Sequence, residues 1–403
     1  MKLALVHRYF WPDTPPYAVM LRYIAKELAE NGHEVTVYST QPSYKQQYKV
    51  GEQPWVEEMD GFLVKRIKVA REKGKSSFLR LFSILKFTLS LLRRLVLDKP
   101  DVIMIATTPP IIGGLVVRLS SRLIGAQYIY HCQDLYPEVA KVSGVLNDGI
   151  LNKFLVALDR KTCDKALWTI VLSEDMKQSL LARGCEGSNI SVINNFELKS
   201  FSDVISAPVT EDMVRKEGVF RVLFAGNIGK FQGLETVIDA AHKLSEKDNI
   251  EFVFLGEGAA MATLKEQASE LLGKTIKFFG HQPISIARKL IADSQLCVVS
   301  LNEGVYKYAF PSKTMTYMCE GVPVLMMVEP ESGLSKMVRD EKIGVVISPG
   351  DSTKFAEQVI NLENDSESLE MMKRAVNKYS SHHFKIESVL PRWVELYGRD
   401  GLE

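Results

Sequence analysis

His131 ends an apolar run, Tyr128 to His131, and Asp134 follows three residues later. A histidine at a strand end beside a carboxylate can exchange a proton or fix a hydroxyl where open parallel sheets bind their ligands. Farther along, Lys313 follows Pro311 and Ser312 at the start of a predicted helix. There a fixed cation, a hydroxyl and unbonded amide N–H groups would together hold an anion. Lys230, inside the glycine-rich stretch from Gly226 to Gly233, is a second cation of that kind. No histidine pair has metal-ligand spacing, and no Asp-x-Asp motif stands where a metal-bridged diphosphate would need one, so no metal site is expected. Nor does a carboxylate pair of the kind used in glycoside hydrolysis stand out.

Positioning such residues takes elements that end at a common edge. Lys2 to His7 is nearly all apolar, as a strand covered on both faces should be, and a helix follows from about Ala18 to Glu30 until Asn31 and Gly32 stop it. Val35 to Tyr38, Val102 to Ala106, Tyr128 to His131 and Thr169 to Leu172 continue the strand rhythm, with this half ending near Phe196. The stretch from Glu197 to Glu217 has mixed charge, Pro208 and no sustained period, and reads as a linker. A second series follows: strands over Arg221 to Ala225, Glu251 to Leu255, Ile276 to Phe279, Leu296 to Leu301, Val322 to Met327 and Gly344 to Ile347, with a helix over Leu234 to Leu244. The expected fold class is α/β, with two doubly wound parallel sheets in tandem facing a cleft. The expected domains are residues 1–197, 198–385 and a C-terminal helix, 386–403, that returns to the first domain.

Composition narrows the partners. The chain has 403 residues and a formal net charge of +1, so no global field attracts nucleic acid. Five cysteines, an odd number without motif spacing, read as buried thiols in a reducing cytoplasm. The N-terminus meets His7, Arg8 and Pro12 too soon for a signal-peptide core. The apolar run from Val102 to Val117 is broken by Pro109, Pro110, Gly113 and Gly114, and reads as a buried strand running into a glycine-rich loop rather than a membrane span. Phe78 to Val96 mixes leucine, isoleucine and phenylalanine with Arg80, Lys86, Arg93 and Arg94. That pattern suits a helix lying on an anionic membrane, or a helix whose apolar stripe packs on the first sheet.

Several landmarks then occur in order: Gly32 to Val35, Asp134 to Glu138, Ser173 and Glu174, Asn194 and Asn195, Gly226, and Gly321 to Val324. Through them the chain resembles the family-4 retaining glycosyltransferases of the GT-B fold, over nearly its whole length. Residues 225–236 (AGNIGKFQGLET) with Pro311, Ser312 and Lys313 are most similar to the bacterial envelope group. That group transfers N-acetyl amino sugars such as N-acetylfucosamine in O-antigen or capsule assembly.

The resemblance implies a UDP-sugar donor, a lipid-linked or oligosaccharide acceptor, no cofactor, and a place at the inner face of the cytoplasmic membrane. It also implies a diphosphate clamp, since charge builds on the bridging oxygen as the glycosidic bond breaks. The family's arginine and lysine correspond here to Asn227 and Gln232, which leaves Lys230, Lys313 and Ser312 to take the charge. The family's two glutamates correspond to Tyr308 and Thr316, with Glu303 the nearest substitute carboxylate and Glu320 a weaker one. Gly280 to Pro283 matches the loop near the base, which brings in His281. On the acceptor side the usual glycine pair is Pro15 and Pro16, and Gln133 matches a histidine that touches the donor sugar, beside His131 and Asp134. Retention would let the leaving phosphate take the acceptor's proton. A UDP-sugar epimerase of the same fold and a non-catalytic partner of a transferase are the alternatives, the second suggested by the neutral replacements.

Overall fold

The structure is a computed structural model that describes residues 1–13, 15–43, 51–69, 77–198, 209–229 and 232–398. The chain divides into two compact units. Residues 1–198, 308–310 and 386–403 form the first, and residues 199–307 and 311–385 the second.

The first unit runs β1 (Lys2–Val6), α1 (Pro16–Glu30), β2 (Glu34–Thr40), β3 (Val56–Met59), β4 (Phe62–Ile67), α2 (Ser77–Asp98), β5 (Val102–Ala106), α3 (Ile112–Ile124), β6 (Gln127–His131), α4 (Glu138–Val142), α5 (Ile150–Asp164), β7 (Trp168–Val171), α6 (Glu174–Ala182) and β8 (Ile190–Val192). Its sheet has the order β3-β4-β2-β1-β5-β6-β7-β8. Every pairing is parallel except β3 with β4, an edge pair that the sequence reading did not foresee. The alternating burial along β4 and the exposed character of β3 show why: an edge hairpin carries less apolar signal than a strand covered on both faces.

The second unit runs β9 (Phe220–Ala225), α7 (Glu235–Lys243), β10 (Ile250–Leu255), α8 (Met261–Gln267), β11 (Ile276–Phe279), α9 (Ile284–Ala292), β12 (Leu296–Ser300), α10 (Ser312–Cys319), β13 (Val324–Met327), α11 (Gly333–Asp340), β14 (Gly344–Ile347), α12 (Ser352–Asn364) and α13 (Ser366–His383). All its strands are parallel, in the order β11-β10-β9-β12-β13-β14. The last helix, α14 (Ile386–Gly398), packs in the first unit against α1.

Two apolar layers flank the first sheet. On one face α1 and α14 supply Leu21, Ile24, Leu28, Val389, Trp393 and Leu396. On the other, Phe87, Leu91 and Leu95 of α2, Val117 of α3, and Met176 and Leu180 of α6 cover the strands. The strands are therefore buried on both sides, which is why β5 reads as an unbroken apolar run.

One expectation is corrected here. Gly113 and Gly114 do not form a loop; both lie in the first turn of α3. They serve close packing: a Cβ on Gly114 would lie 2.9 Å from Thr162 Cγ2 and 3.1 Å from Tyr130 Cε2. Gly114→Ala is therefore expected to cost about 1–3 kcal/mol by overpacking, read by urea denaturation. A loss below a few tenths of a kcal/mol would mean that the α3–α5 contact yields freely.

Candidate functional site

In doubly wound sheets the ligand crevice opens where strand order reverses, beyond the carboxyl ends of the strands. In the second unit the order reverses between β9 and β12. Those two strands pair only through Leu296–Val222 and Cys297–Leu223, so β9 separates from β12 before it ends. Tyr317 of α10 takes up the freed backbone. Its hydroxyl accepts from the Ala225 N–H at 2.8 Å and donates to the Ala225 carbonyl at 3.0 Å.

Above that point Lys313 enters from the first turn of α10. Its Nζ donates to Gln232 Oε1 at 2.5 Å and lies 4.0 Å from the centre of the Phe224 ring. Gln232 is held in turn, because its backbone carbonyl accepts from the Ser300 hydroxyl at the end of β12. Among the described residues the ammonium has an amide oxygen and a ring face but no carboxylate, and burial pulls its pKa down to about 7. A half-buried cation whose charge is only partly compensated can attract an anion. Helix α10 strengthens it, since its N-cap is Pro311 and no side chain caps the first turn. Ser312 is exposed beside Lys313.

The other expected donor-side residues divide. Gly226 adjoins Lys313: a Cβ there would lie 3.8 Å from Lys313 Cε. Asn227 is exposed next to it. Thr316 is half-buried, with its hydroxyl 3.5 Å from the Ser312 carbonyl of its own helix. His281 is exposed on the loop after β11. Lys230 lies outside the described residues.

Glu303 is exposed, and the carboxylate enclosed at this edge is instead Glu329, just beyond β13. One of its oxygens accepts from the Gly304 N–H. Its Oε2 is buried without a partner among the described residues. Glu329 was not singled out from the sequence, although a carboxylate two residues beyond a fully buried strand was a usable signal. Glu320 pairs with Arg288 of α9. Tyr308, expected opposite the donor, belongs to the first unit, where its carbonyl accepts from the Leu135 N–H at 2.8 Å. The correspondence with the family's glutamate missed this because residues 308–310 leave the second unit between β12 and α10.

In the first unit the sheet order reverses between β1 and β5, and β6 lies next to β5. Gln133 sits beyond β6 at the centre of a polar cluster. Its backbone N–H donates to Thr107 Oγ1 at 3.2 Å. Its side chain forms a reciprocal amide pair with Asn195, at 3.2 and 3.0 Å. Its Nε2 also lies 2.7 Å from His131 Nε2.

The role expected for His131 is corrected. The ring is fully buried, its Nδ1 is 3.0 Å from the Tyr17 hydroxyl, and it packs 4.7 Å from Trp393 of α14. Both ring nitrogens are engaged inside the protein, and burial lowers the pKa to about 3. His131 is therefore a neutral, enclosed ring behind Gln133, with no nitrogen open to a substrate. With the Gln133 amide donating to Nε2, the ring proton resides on Nδ1 and is directed at Tyr17. His7 joins this stack 4.7 Å from Tyr17, and burial takes its pKa to about 4.

Asp134 is half-buried, and burial raises its carboxyl to about 6. Pro15 and Pro16 open α1, the helix that carries Tyr17. Pro16 sets the first helical turn, so the loop before α1 and the His131 cluster share one anchor. Among the described residues no group of three His, Cys, Asp or Glu side chains could hold a metal ion, and no helix is long and apolar enough to cross a membrane.

Comparisons with known proteins bear on the two domains. Residues 17–195 match the family "Glycosyl transferase 4-like domain", and residues 210–379 match "Glycosyl transferases group 1". "Probable glycosyltransferase WbjE" of Pseudomonas aeruginosa is 24% identical over 68% of this chain and 70% of that protein. "Putative colanic acid biosynthesis glycosyl transferase WcaI" of Escherichia coli K12 is 27% identical over 77% of this chain and 79% of that protein. Among solved structures, Anabaena Alr3699/HepE in complex with UDP superposes with a TM-score of 0.71 at 16% identity, over 99% of this chain and all of that one.

Proposed function

We propose, from the premise that this chain joins a glycosyl transferase 4-like domain to a glycosyl transferases group 1 domain, that it is a retaining, metal-independent transferase of bacterial surface polysaccharide synthesis, acting on the cytoplasmic face of the membrane. It takes an N-acetyl amino sugar, of which N-acetyl-L-fucosamine is the leading candidate, from UDP to a lipid-linked or saccharide acceptor in O-antigen or capsule assembly. The observation that carries the reading is Lys313, half-buried at the β9–β12 crevice with the Gln232 amide as its one polar partner among the described residues. A diphosphate supplies the charge that this ammonium lacks. The relatives' names, which include colanic acid biosynthesis, and the neighbour solved with UDP support the donor class and the setting.

In this reaction the bond from the anomeric carbon to the diphosphate breaks and the bond to the acceptor oxygen forms on the same face. The acceptor's proton passes to the leaving phosphate oxygen. The protein's own work is electrostatic, because Lys313 and the α10 amide end stabilise the charge that develops on the leaving group. Gln133, fixed by Thr107, Asn195 and His131, offers a rigid amide to a sugar hydroxyl. No protein base is required, which fits a neutral, enclosed His131.

The reading is tested by calorimetric titration with UDP, GDP and UDP-N-acetylhexosamines in chelator. Binding selective for UDP is expected. Absence of any nucleotide binding would overturn the reading and favour a non-catalytic partner, while conversion of the free donor to its epimer would favour an epimerase.

A further inference from the structure

Helix α2 is apolar on two opposite sides. At 3.6 residues per turn, Phe87, Leu91 and Leu95 form the stripe that packs on the sheet. Phe82, Leu85 and Leu89 lie on the opposite stripe and are 52%, 45% and 66% exposed. A helix apolar all round is ordinarily covered all round, and here, among the described residues, the Phe82, Leu85 and Leu89 stripe is left exposed.

The exposure does not stop at α2. Helix α3 packs against both α2 and α5, and its outward positions Leu119 and Leu123 are 46% and 62% exposed. On α5, Ile150 and Phe154 are 89% and 61% exposed. Ten of the eighteen large apolar side chains exposed among the described residues lie on these three helices, so the exposure is concentrated rather than scattered.

The charges around this face are one-sided. By sequence, α2 and α3 carry six basic residues, Arg80, Lys86, Arg93, Arg94, Arg118 and Arg122, and one acidic one. That one, Asp98, is paired with Lys65 at 2.8 Å. Lys153 adds an exposed cation on α5, where Asp159 is buried against Arg183 and Asp164 pairs with Arg160.

We propose that the outward sides of α2, α3 and α5 form one docking platform for an anionic lipid bilayer, extending the contact beyond the single helix that composition suggested. Apolar side chains enter the acyl boundary while the interleaved Lys and Arg groups meet the lipid phosphates. A second copy of the chain fits less well, because the same face would oppose basic groups with basic groups. The proposal rests on the reading of the acceptor as lipid-linked.

The test is co-sedimentation of the full chain with phosphatidylcholine vesicles, with and without phosphatidylglycerol. It compares the wild type with L119E/L123E and with I150E/F154E. The wild type should partition to the anionic vesicles in a salt-sensitive way, and each pair should weaken partitioning by roughly tenfold or more. All four positions are exposed, so the melting temperature and UDP affinity should stay unchanged. The UDP titration reports on the transferase reading and the vesicles on the platform, so the two can fail separately. Variants that partition like the wild type would overturn the platform and return the contact to α2 alone. A concentration-dependent dimer in sedimentation velocity that both pairs abolish would assign the face to a second copy instead.

Discussion

Lys313→Met should lower UDP affinity by about thirtyfold or more while leaving the melting temperature unchanged or raised. Losing one partner of an enclosed, hydrogen-bonded charge pair costs about 2–5 kcal/mol of binding, and 1.4 kcal/mol is roughly a factor of ten. Stability should move the other way, because the unliganded protein holds this ammonium at a desolvation cost that methionine does not carry. The pH dependence separates the two effects. Burial lowers the Lys313 pKa from 10.5 to about 7, so between those values the unfolded chain binds more protons and stability rises with pH. Donor affinity runs the opposite way. Above pH 7 the free protein must take up a proton to meet the diphosphate, so affinity falls and proton uptake accompanies binding. Calorimetry in buffers of different ionisation enthalpy reads that uptake directly. A Lys313→Met protein that binds UDP within threefold of the wild type would remove Lys313 from the donor site.

Trp393→Ala should destabilise the first unit by about 3–5 kcal/mol, as truncation of a large buried aromatic does. Trp393 is 1% exposed and lies in the same apolar layer as Leu21, Ile24 and Phe196. For a unit of this size that corresponds to a fall in melting temperature on the order of 10 °C. Trp393→Phe should cost much less, because the indole Nε1 has no hydrogen-bond partner among the described residues and only ring volume is lost. The same substitution releases His131 from its aromatic neighbour, and through it Gln133. Turnover by Trp393→Ala below its melting temperature should therefore fall further than donor affinity. A stability loss under about 1 kcal/mol would mean that α14 is not integral to the first unit's core.

Much of this was legible because its physical cause is local. Strands covered on both faces write mostly apolar runs, so β1, β5, β9, β10 and β12 were placed within a residue or two of their ends, even though the paired Arg221 and Glu251 interrupt β9 and β10. Gly32, at a φ of 83°, marked the stop of α1 because a left-handed residue there favours glycine. Lys313 could be chosen from the sequence because Pro-Ser-Lys before a helical stretch states both the cation and the amide end that accompanies it. The edge hairpin β3–β4 was not legible, since half-exposed strands lack that signal.

The sequence by itself determined the class of fold and the two-domain organisation, because each follows from periodicity and residue type over short spans. Only the tertiary structure decided which polar groups work together. It set Gln232 on Lys313, enclosed Glu329 where Glu303 had been expected, and shut His131 between Tyr17, Gln133 and Trp393. These pairings join residues up to 262 positions apart, counting from His131 to Trp393. Burial depends on what covers a side chain from elsewhere in the fold, and so do hydrogen bonds between distant positions and the pKa shifts that follow from both.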